Sequence, residues 1–302
     1  MFLVPDFKGI TIFPYDTRFP FMRYKGICLV ASLIAMVLSV ILIATVGFNF
    51  GVDFKGGSMI EVQHKPGPVD LASLRQKLSS LGLGEVQIQE FGSPDDVLIR
   101  VEEQPGGEEA QQEAVAKIIA ALGDDYVQRR VEIVGPAVSS ELRTTGIIAV
   151  LVSLIGICVY VWFRFEWQFA VGAVLSLAHD VLLVAGCFAL FQWDFDLSIV
   201  AALLTILGYS VNDTVVVSDR IRENLRKYKR MELDELLNLS INETLSRTIL
   251  TGLTTIVVLV VLFLIGGEGI RYFSLAMLLG VIIGTYSSIF IAAPLLAYTG
   301  IK

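Results

Sequence analysis

The chain has 302 residues, of which 54% are hydrophobic and only 18% are charged, and its mean hydropathy is +0.69. A composition this apolar excludes an ordinary soluble protein and predicts an integral membrane protein. The formal net charge is −7, and no basic surface large enough for phosphate groups is expected. We therefore predict no nucleic-acid partner.

Six windows approach the roughly 20 apolar residues that a helix needs to cross about 30 Å of hydrocarbon. In chain order they are 27–47, 146–163, 168–191, 197–218, 248–267 and 272–298. The polar stretch between the first two windows, 48–145, is long enough for one small folded domain. The sequence therefore predicts a polytopic α-helical membrane protein: one transmembrane helix, an α+β domain, and a five-helix bundle over 146–298.

Basic residues set the predicted orientation, because short cytoplasmic segments collect lysine and arginine. They precede the first span and follow the fourth, at Lys8, Arg18, Arg23, Lys25, Arg220, Arg222, Arg226, Lys227, Lys229 and Arg230. The domain at 48–145 has 16 acidic and 9 basic residues, which gives it a net charge of −7. We expect the N-terminal segment 1–26, the loop 219–247 and the C-terminal residues 299–302 in the cytoplasm, with the acidic domain on the opposite face.

The domain segment alternates short elements in the order β-α-β-β-α-β. The predicted strands and helices are 58–64, 69–82, 85–91, 96–102, 107–123 and 126–135. This order is typical of a ferredoxin-like sandwich, in which two helices cover one face of a sheet. His64 is single, the carboxylates are typical of a solvated surface, and no phosphate-binding loop occurs in the sequence. We expect neither an enzyme nor a bound cofactor.

The cysteines Cys28, Cys158 and Cys187 lie in predicted spans without a metal-ligand spacing, so neither a disulfide nor a metal site is expected. The first span is longer than a signal-peptide core, and we expect it to stay uncleaved. A leucine-rich helix over 232–245 is predicted to lie along the cytoplasmic interface. Gly280 and Gly284 form a GxxxG pattern that favours packing within the chain.

Asn212 and Asp213 interrupt the fourth apolar window. An ionised carboxylate against hydrocarbon costs at least roughly 3 kcal/mol, so a partner, a water-lined cavity or protonation must compensate. Tyr209 and Thr205, four and eight residues earlier, are predicted to share the face of Asp213. A different interpretation also stays open, in which Asp213 is a helix-end carboxylate near the cytoplasmic interface, five residues before Ser218.

The third span carries a second acidic position. Asp180 stands next to His179, with Ser176 and Gly172 behind it at helical spacing. Histidine titrates near neutral pH, so a proton relay is one interpretation of this pair. We favour the other, a structural hydrogen bond between the two side chains.

A polar stripe is predicted at the start of the fifth span, where residues at offsets of 0, 4, 7 and 8 share one helical face. These residues are Arg247, Thr251, Thr254 and Thr255. From the residues alone, Arg247 is best explained as a cytoplasmic flanking charge.

Four motifs occur in order along the chain: FNFGVDFKGGSMIEV (48–62), IVGPAVSSELR (133–143), SLAHDV (176–181) and GYSVNDTVVVSDRIREN (208–224). Together they resemble the SecF family of the resistance-nodulation-division superfamily, and the resemblance covers nearly the entire chain. It implies a bacterial inner-membrane subunit that works with SecD beside the SecYEG channel, uses the proton gradient and helps to draw exported polypeptides outward. Only one six-span half is present, so the SecD half must be another chain.

The resemblance also implies residue roles. The aspartate of the NDT motif and the arginine that opens the next span belong to the family's proton pathway, which corresponds here to Asp213 and Arg247 with protons as the coupling ion. Other polar residues are candidates for supporting roles: Asn212, Tyr209, Asp180, His179 and Thr251. The motif residues Gly51, Asp53, Gly56 and Gly57 are expected to cap the first span and turn the chain into the first strand.

Two other function classes remain open. A passive scaffold or assembly subunit would use its external domain only to hold a partner, and its buried charges would only fix helix register. A small-molecule proton antiporter is disfavoured, because the chain has one modest external domain and no second six-span half.

Overall fold

The structure, a computed structural model, describes residues 18–84 and 86–301. Residues 1–17 of the predicted cytoplasmic segment, Glu85 at the start of a predicted strand, and the C-terminal Lys302 lie outside the described residues. The described chain forms a helical bundle with one α+β domain between the first and second long helices.

The elements follow one another as a 3-10 turn (Phe21–Tyr24), α1 (Lys25–Thr45), β1 (Asn49–Phe50), α2 (Val52–Lys55), β2 (Gly57–His64), α3 (Leu71–Ser79), β3 (Val86–Phe91), β4 (Ser93–Val101), α4 (Gly107–Leu122), β5 (Tyr126–Val134), α5 (Pro136–Arg164), α6 (Trp167–Phe191), β6 (Asp194–Phe195), α7 (Leu197–Lys227), α8 (Leu233–Ile265), α9 (Glu268–Ser287), a π-helical turn (Ser288–Ala292) and α10 (Ala293–Tyr298).

Six helices of the described chain are long and apolar enough to cross a membrane, and each overlaps one predicted span. They are α1, α5, α6, α7, α8 and the combined segment from α9 to α10. With the 3-10 turn before α1 included, the six spans are 25 to 33 residues long, about 38 to 50 Å, so all of them exceed about 30 Å of hydrocarbon.

The fourth and fifth spans are longer than predicted. α7 continues for nine residues past Ser218, and α8 is one unbroken helix that includes the predicted interfacial helix 232–245. The prediction of a separate helix along the interface is wrong because its leucine face is covered by protein: Leu237 is buried in one cluster with Ile221 of α7. The segment 219–247 is therefore mostly two helix ends rather than an open loop.

The interior of the bundle consists of α6, α7 and the last span. About half of each apolar window in these three is buried, against 11 to 17% in α1, α5 and α8. Small residues allow the close approach: a Cβ at Gly280 would overlap the side chain of Ile206, and a Cβ at Gly284 would lie 3.1 Å from Ser210. The GxxxG pattern therefore packs against α7 inside the chain, as the sequence predicts.

The domain contains a four-stranded antiparallel sheet in the order β3-β4-β2-β5. Alternate residues of each strand point to the same face, so Ile60, Val62 and Ile99 lie on one side of the sheet. Leu78 of α3 and Ile118 of α4 pack against them in a single buried cluster. The six elements predicted between residues 58 and 135 thus occur in the predicted order.

Glycines define the start of β2. Gly56 and Gly57 have φ values of +78° and +111°, which side chains rarely adopt. A Cβ at Gly57 would also overlap the carbonyl oxygen of Val101 in the neighbouring strand. The motif turns the chain into the first strand through the short helix α2 and the turn that follow Gly51, as predicted. The prediction that it also caps the first span is wrong, because α1 ends at Thr45 with Val46 as its C-cap, before the motif begins.

Candidate functional site

Asp213 lies inside the bundle, sixteen residues and about 24 Å from the start of α7 at Leu197. Only 9% of the Asp213 surface is exposed. Oδ1 accepts a hydrogen bond from the Thr248 hydroxyl of α8 at 2.7 Å, and Oδ2 accepts one from the Ser288 hydroxyl of the π turn at 2.7 Å. Because α7 continues for fourteen residues beyond it, Asp213 is not a helix-end carboxylate.

Helical geometry sets which residues of α7 accompany Asp213. Ser210, three residues earlier, is fully buried, whereas Thr205, eight residues earlier, is turned about 80° away and is exposed. The prediction that Thr205 shares the face of Asp213 is therefore wrong. Tyr209 is half-buried among apolar side chains, and Asn212 is exposed on the outside of the bundle.

Arg247 is exposed at the outer surface of α8. Its guanidinium attracts the Asp213 carboxylate through space, but no ion pair joins the two among the described residues. Thr251 and Thr254 are also exposed, and their hydroxyls donate to carbonyl oxygens of their own helix. The polar stripe thus faces outward, and Thr248 is the α8 residue that meets the site.

Asp180 and His179 form a second buried polar cluster, with exposures of 0% and 1%. The His179 Nδ1 and Asp180 Oδ1 atoms are 3.0 Å apart, as expected for the structural hydrogen bond predicted from the sequence. Asp180 Oδ2 accepts hydrogen bonds from Ser210 of α7 at 2.6 Å and from Ser287 of α9 at 2.8 Å. Ser176, one turn earlier on α6, donates to Ser287 at 2.9 Å.

Both aspartate clusters bond to the last span where α9 passes into the π turn at residues 288–292. Pro294 has no N–H, so the Phe290 carbonyl oxygen loses its usual partner four residues later. The Ala293 N–H donates to the carbonyl oxygen of Ser288, five residues earlier, which is the π-helical pattern. A Cβ at Gly172 of α6 would lie 3.0 Å from the Ala292 carbonyl oxygen, so α6 packs closely against this turn. Ser287 and Ser288, adjacent in sequence, bond to different aspartates.

The Ser288 hydroxyl can serve both protonation states of Asp213. It donates to the carboxylate in the ionised state, and a second acceptor, the Thr285 carbonyl oxygen, lies 3.1 Å away. When Asp213 is protonated, its O–H can donate to Ser288 Oγ while Ser288 donates to Thr285. Thr248 can continue to donate to the other carboxyl oxygen, so both states satisfy their hydrogen bonds.

Several site residues were not found by sequence reasoning, namely Thr248, Ser210, Ser287 and Ser288. Hydroxyl groups in apolar spans usually bond to their own helix, so single serines and threonines carry little signal. The run Tyr286, Ser287, Ser288 within an apolar window, one turn after the GxxxG pattern, was the available indication.

The glycine motif meets the start of α7. The Asp53 carboxylate accepts a hydrogen bond from the Leu197 N–H at 2.9 Å, and Asp196 accepts one from the Ile199 N–H at 3.2 Å. The Gly51 N–H donates to the Phe195 carbonyl oxygen at 2.9 Å. These bonds satisfy free N–H groups of the first turn of α7 and tie it to the chain that enters the domain.

A second connection joins the sheet to the same point. Arg100 of β4 makes two hydrogen bonds to Asp194, at 2.9 and 2.5 Å, and the Asn49 side chain donates to the same carboxylate at 2.8 Å. β1 and β6 pair in parallel beside it. We call Asn49, Arg100 and Asp194 the domain latch, because they connect the domain to the segment that precedes α7.

Metal binding finds no support within the described chain, where no group of three or more histidine, cysteine, aspartate or glutamate residues could hold an ion. Cys28, Cys158 and Cys187 are unpaired. Among the described residues, the buried polar side chains of the bundle carry carboxylates, hydroxyl groups, the His179 imidazole and the Asn224 amide.

Fold and site together define a multi-pass membrane protein with buried carboxylates between its spans and an α+β domain attached to the span that carries one of them. Residues 114–302 match the family model "Protein export membrane protein SecD/SecF, C-terminal", and residues 41–65 match "SecD/SecF GG Motif". The chain belongs to the SecD/SecF family of protein-export membrane proteins.

Relatives place the chain on the SecF side of that family. The protein translocase subunit SecF of Rickettsia rickettsii is 46% identical over 291 residues, which cover 95% of this chain and 94% of the relative. The protein translocase subunit SecDF of Brucella abortus is 46% identical over 295 residues, but the match covers 98% of this chain and only 39% of that one.

Solved structures of SecDF proteins also match this chain over most of its length. The crystal structure of SecDF from Thermus thermophilus matches with a TM-score of 0.84 and 37% identity over 95% of this chain and 39% of that chain. A SecDF structure described as a super-membrane-facing form matches with a TM-score of 0.69 and 38% identity over 94% of this chain.

The domain latch predicts a measurable coupling between Arg100 and Asp194. In a double-mutant cycle with Arg100→Ala and Asp194→Ala, we expect a coupling of about 1.5–3 kcal/mol, since the bonds are charged and mostly shielded from water. Hydrogen exchange at the Gly51 amide, which bonds across to Phe195, reports the local opening free energy.

The exposed pair Glu113 and Lys117 of α4 is the matched control, with an expected coupling of at most about 0.5 kcal/mol. An Arg100–Asp194 coupling no larger than this control would contradict the latch.

Proposed function

We propose that this chain is the SecF subunit of a complex with SecD that uses the proton-motive force to assist translocation of exported polypeptides through the SecYEG channel. It works in the bacterial inner membrane, without enzymatic chemistry and without a cofactor, and protons are the coupling ion. The observation that carries the proposal is the buried Asp213 carboxylate, bonded by hydroxyl groups of two other spans.

Proton binding at Asp213 changes how three spans are held together. The ionised carboxylate attracts two hydroxyl donors and the Arg247 guanidinium, whereas the protonated group keeps hydrogen bonds but loses its charge. Each proton that crosses the membrane delivers about 2.3 kcal/mol per 100 mV of potential. That energy is enough to bias two helix packings by more than tenfold.

A partner subunit covers the outward polar face at the depth of Asp213. Asn212, Arg247 and Thr251 are exposed there, and a charged side chain facing lipid costs about 2.5–3.5 kcal/mol. SecD is the partner that fits, because relatives named SecDF carry a region matching this chain within a single longer chain.

Movement at Asp213 reaches the domain through α7. This helix carries Asp213 in its middle, and its first turn is bonded to Asp53 and adjoins Asp194 of the domain latch. We infer that the domain, a ferredoxin-like sandwich by its strand order, lies on the outer face of the membrane and meets the emerging polypeptide.

A passive scaffold is the second candidate, because the same hydrogen bonds can simply fix helix register. The two functions differ in one respect. A scaffold needs the hydrogen bonds of Asp213 but has no use for its titration.

We therefore predict that Asp213→Asn preserves folding and recovery of the SecD partner but lowers proton-dependent export by at least about tenfold. Asparagine keeps the size and most of the hydrogen bonding and removes the ionisable group. The measurement is export of a secreted protein into inverted membrane vesicles with and without a proton gradient.

Asp219→Asn is the matched control, because Asp219 is exposed on the same helix and forms only a surface ion pair with Arg164. It should export at the normal rate. Normal gradient-dependent export by the Asp213→Asn variant would show that Asp213 is structural. The passive scaffold would then be the better-supported function.

The orientation gives a separate prediction. With the three native cysteines replaced by alanine, a cysteine at the exposed Gln89 should react with an impermeant reagent only from the periplasmic side. A cysteine at the exposed Lys229 should react only from the cytoplasmic side. Labelling of residue 89 from the cytoplasm alone would reverse the proposed topology.

A further inference from the structure

The buried Asp180 has the same hydrogen-bond arrangement that makes Asp213 suitable for proton binding. Ser287 donates to Asp180 at 2.8 Å and has the Gly284 carbonyl oxygen at 3.1 Å as a second acceptor. When Asp180 is protonated on Oδ2, its O–H can donate to Ser287 Oγ while Ser287 donates to Gly284. As at Asp213, one serine of the last span allows both states to remain fully bonded.

His179 orients this carboxyl group. Its Nδ1 bonds to Oδ1, which leaves Oδ2 for the hydroxyl groups and the proton. Nε2 is buried, and within the described chain it has no hydrogen-bond partner. A neutral ring that donates from Nδ1 leaves only an acceptor unpaired at Nε2, whereas a charged ring would leave a buried N–H unpaired, which is costlier. His179 is thus a positioning residue.

Asp180 forms no ion pair with a lysine or arginine of the described chain. The titratable groups that face the cluster are His179 and Tyr286, whose ring lies 6.0 Å from the imidazole. Burying an ionised carboxylate at 0% exposure is unfavourable, and its three hydrogen-bond donors offset part of that cost.

We propose that Asp180, oriented by His179, is a second proton-binding site of the bundle, used in sequence with Asp213. This inference rests on the proposed proton-driven function. Proton binding forms an O–H bond at Asp180 Oδ2 and neutralises that carboxylate, and proton release breaks the same bond and restores the negative charge. Ser287 bonds to Asp180, and the adjacent Ser288 bonds to Asp213. Proton binding at either aspartate therefore changes hydrogen bonds next to the serine that the other aspartate uses.

The first experiment measures proton flux with a pH-sensitive dye in liposomes that contain this chain and its SecD partner. Asp180→Asn should lower the flux at least about tenfold while thermal stability and partner recovery stay near those of the wild type. His179→Asn, which keeps a donor near the Nδ1 position, should retain more flux than His179→Phe.

Ser274→Ala is the matched control, since Ser274 is fully buried in α9, the helix that also carries Ser287, and among the described residues its hydroxyl bonds only to the Ile270 carbonyl oxygen of its own helix. It should leave the flux within about twofold of the wild type. Wild-type flux in a stable Asp180→Asn variant would overturn the second site. If Asp213→Asn also kept its flux, the proposed function itself would fail, so the two failures are distinguishable.

A second experiment does not require Asp180→Asn to fold. Infrared spectra of the Asp213→Asn variant, recorded over a pH series, should contain a carbonyl band of a protonated carboxyl group shielded from water that disappears as pH rises. An Asp196→Asn background is used, because burial raises the pKa of Asp196, which precedes α7, and its carboxyl group would add a band of its own. Absence of such a band at every pH would overturn the proposal.

Discussion

A carboxylate inside an apolar bundle needs hydrogen-bond partners in every state it adopts, and the structure is organised around this constraint at Asp213. Its partners come from two other helices, Thr248 of α8 and Ser288 of the last span, so three spans meet at one ionisable group. Glycines on the last span allow the close approach that these short hydroxyl side chains require. A change of charge at this point therefore acts directly on the packing of three helices.

The same helix that carries Asp213 begins at the domain. α7 is 31 residues long, about 46 Å. The N–H of its first residue, Leu197, bonds to Asp53, and Asp194 of the domain latch lies three residues before Leu197. Aromatic side chains, among them Phe50 and Phe195, pack around this junction. A rigid helix with the ionisable group in its middle and the domain bonded at one end offers a short physical route from proton binding to domain position.

Much of this architecture was predictable from the sequence, because it depends on hydropathy and periodicity. The six spans, the order of strands and helices in the domain, and the contact between His179 and Asp180 follow from such patterns. The partners of Asp213 do not, since they depend on how each helix is rotated and on a π turn next to Pro294. Arg247 shows the limit most clearly: the spacing predicted a polar stripe on one face of the fifth span but not its direction, and the structure places Arg247 on the outer surface beside the inward Thr248.

The proposed function requires that protonation of Asp213 moves the α+β domain relative to the bundle. It is tested most directly by electron-spin distance measurements between labels at Gln89 in the domain and Lys229 at the far end of the bundle, in lipid nanodiscs with the SecD partner. We expect two distance populations whose ratio changes with pH in the wild type, and a ratio independent of pH in Asp213→Asn. The same pH dependence in both proteins, or a single unchanging distance in the wild type, would show that Asp213 does not control the position of the domain.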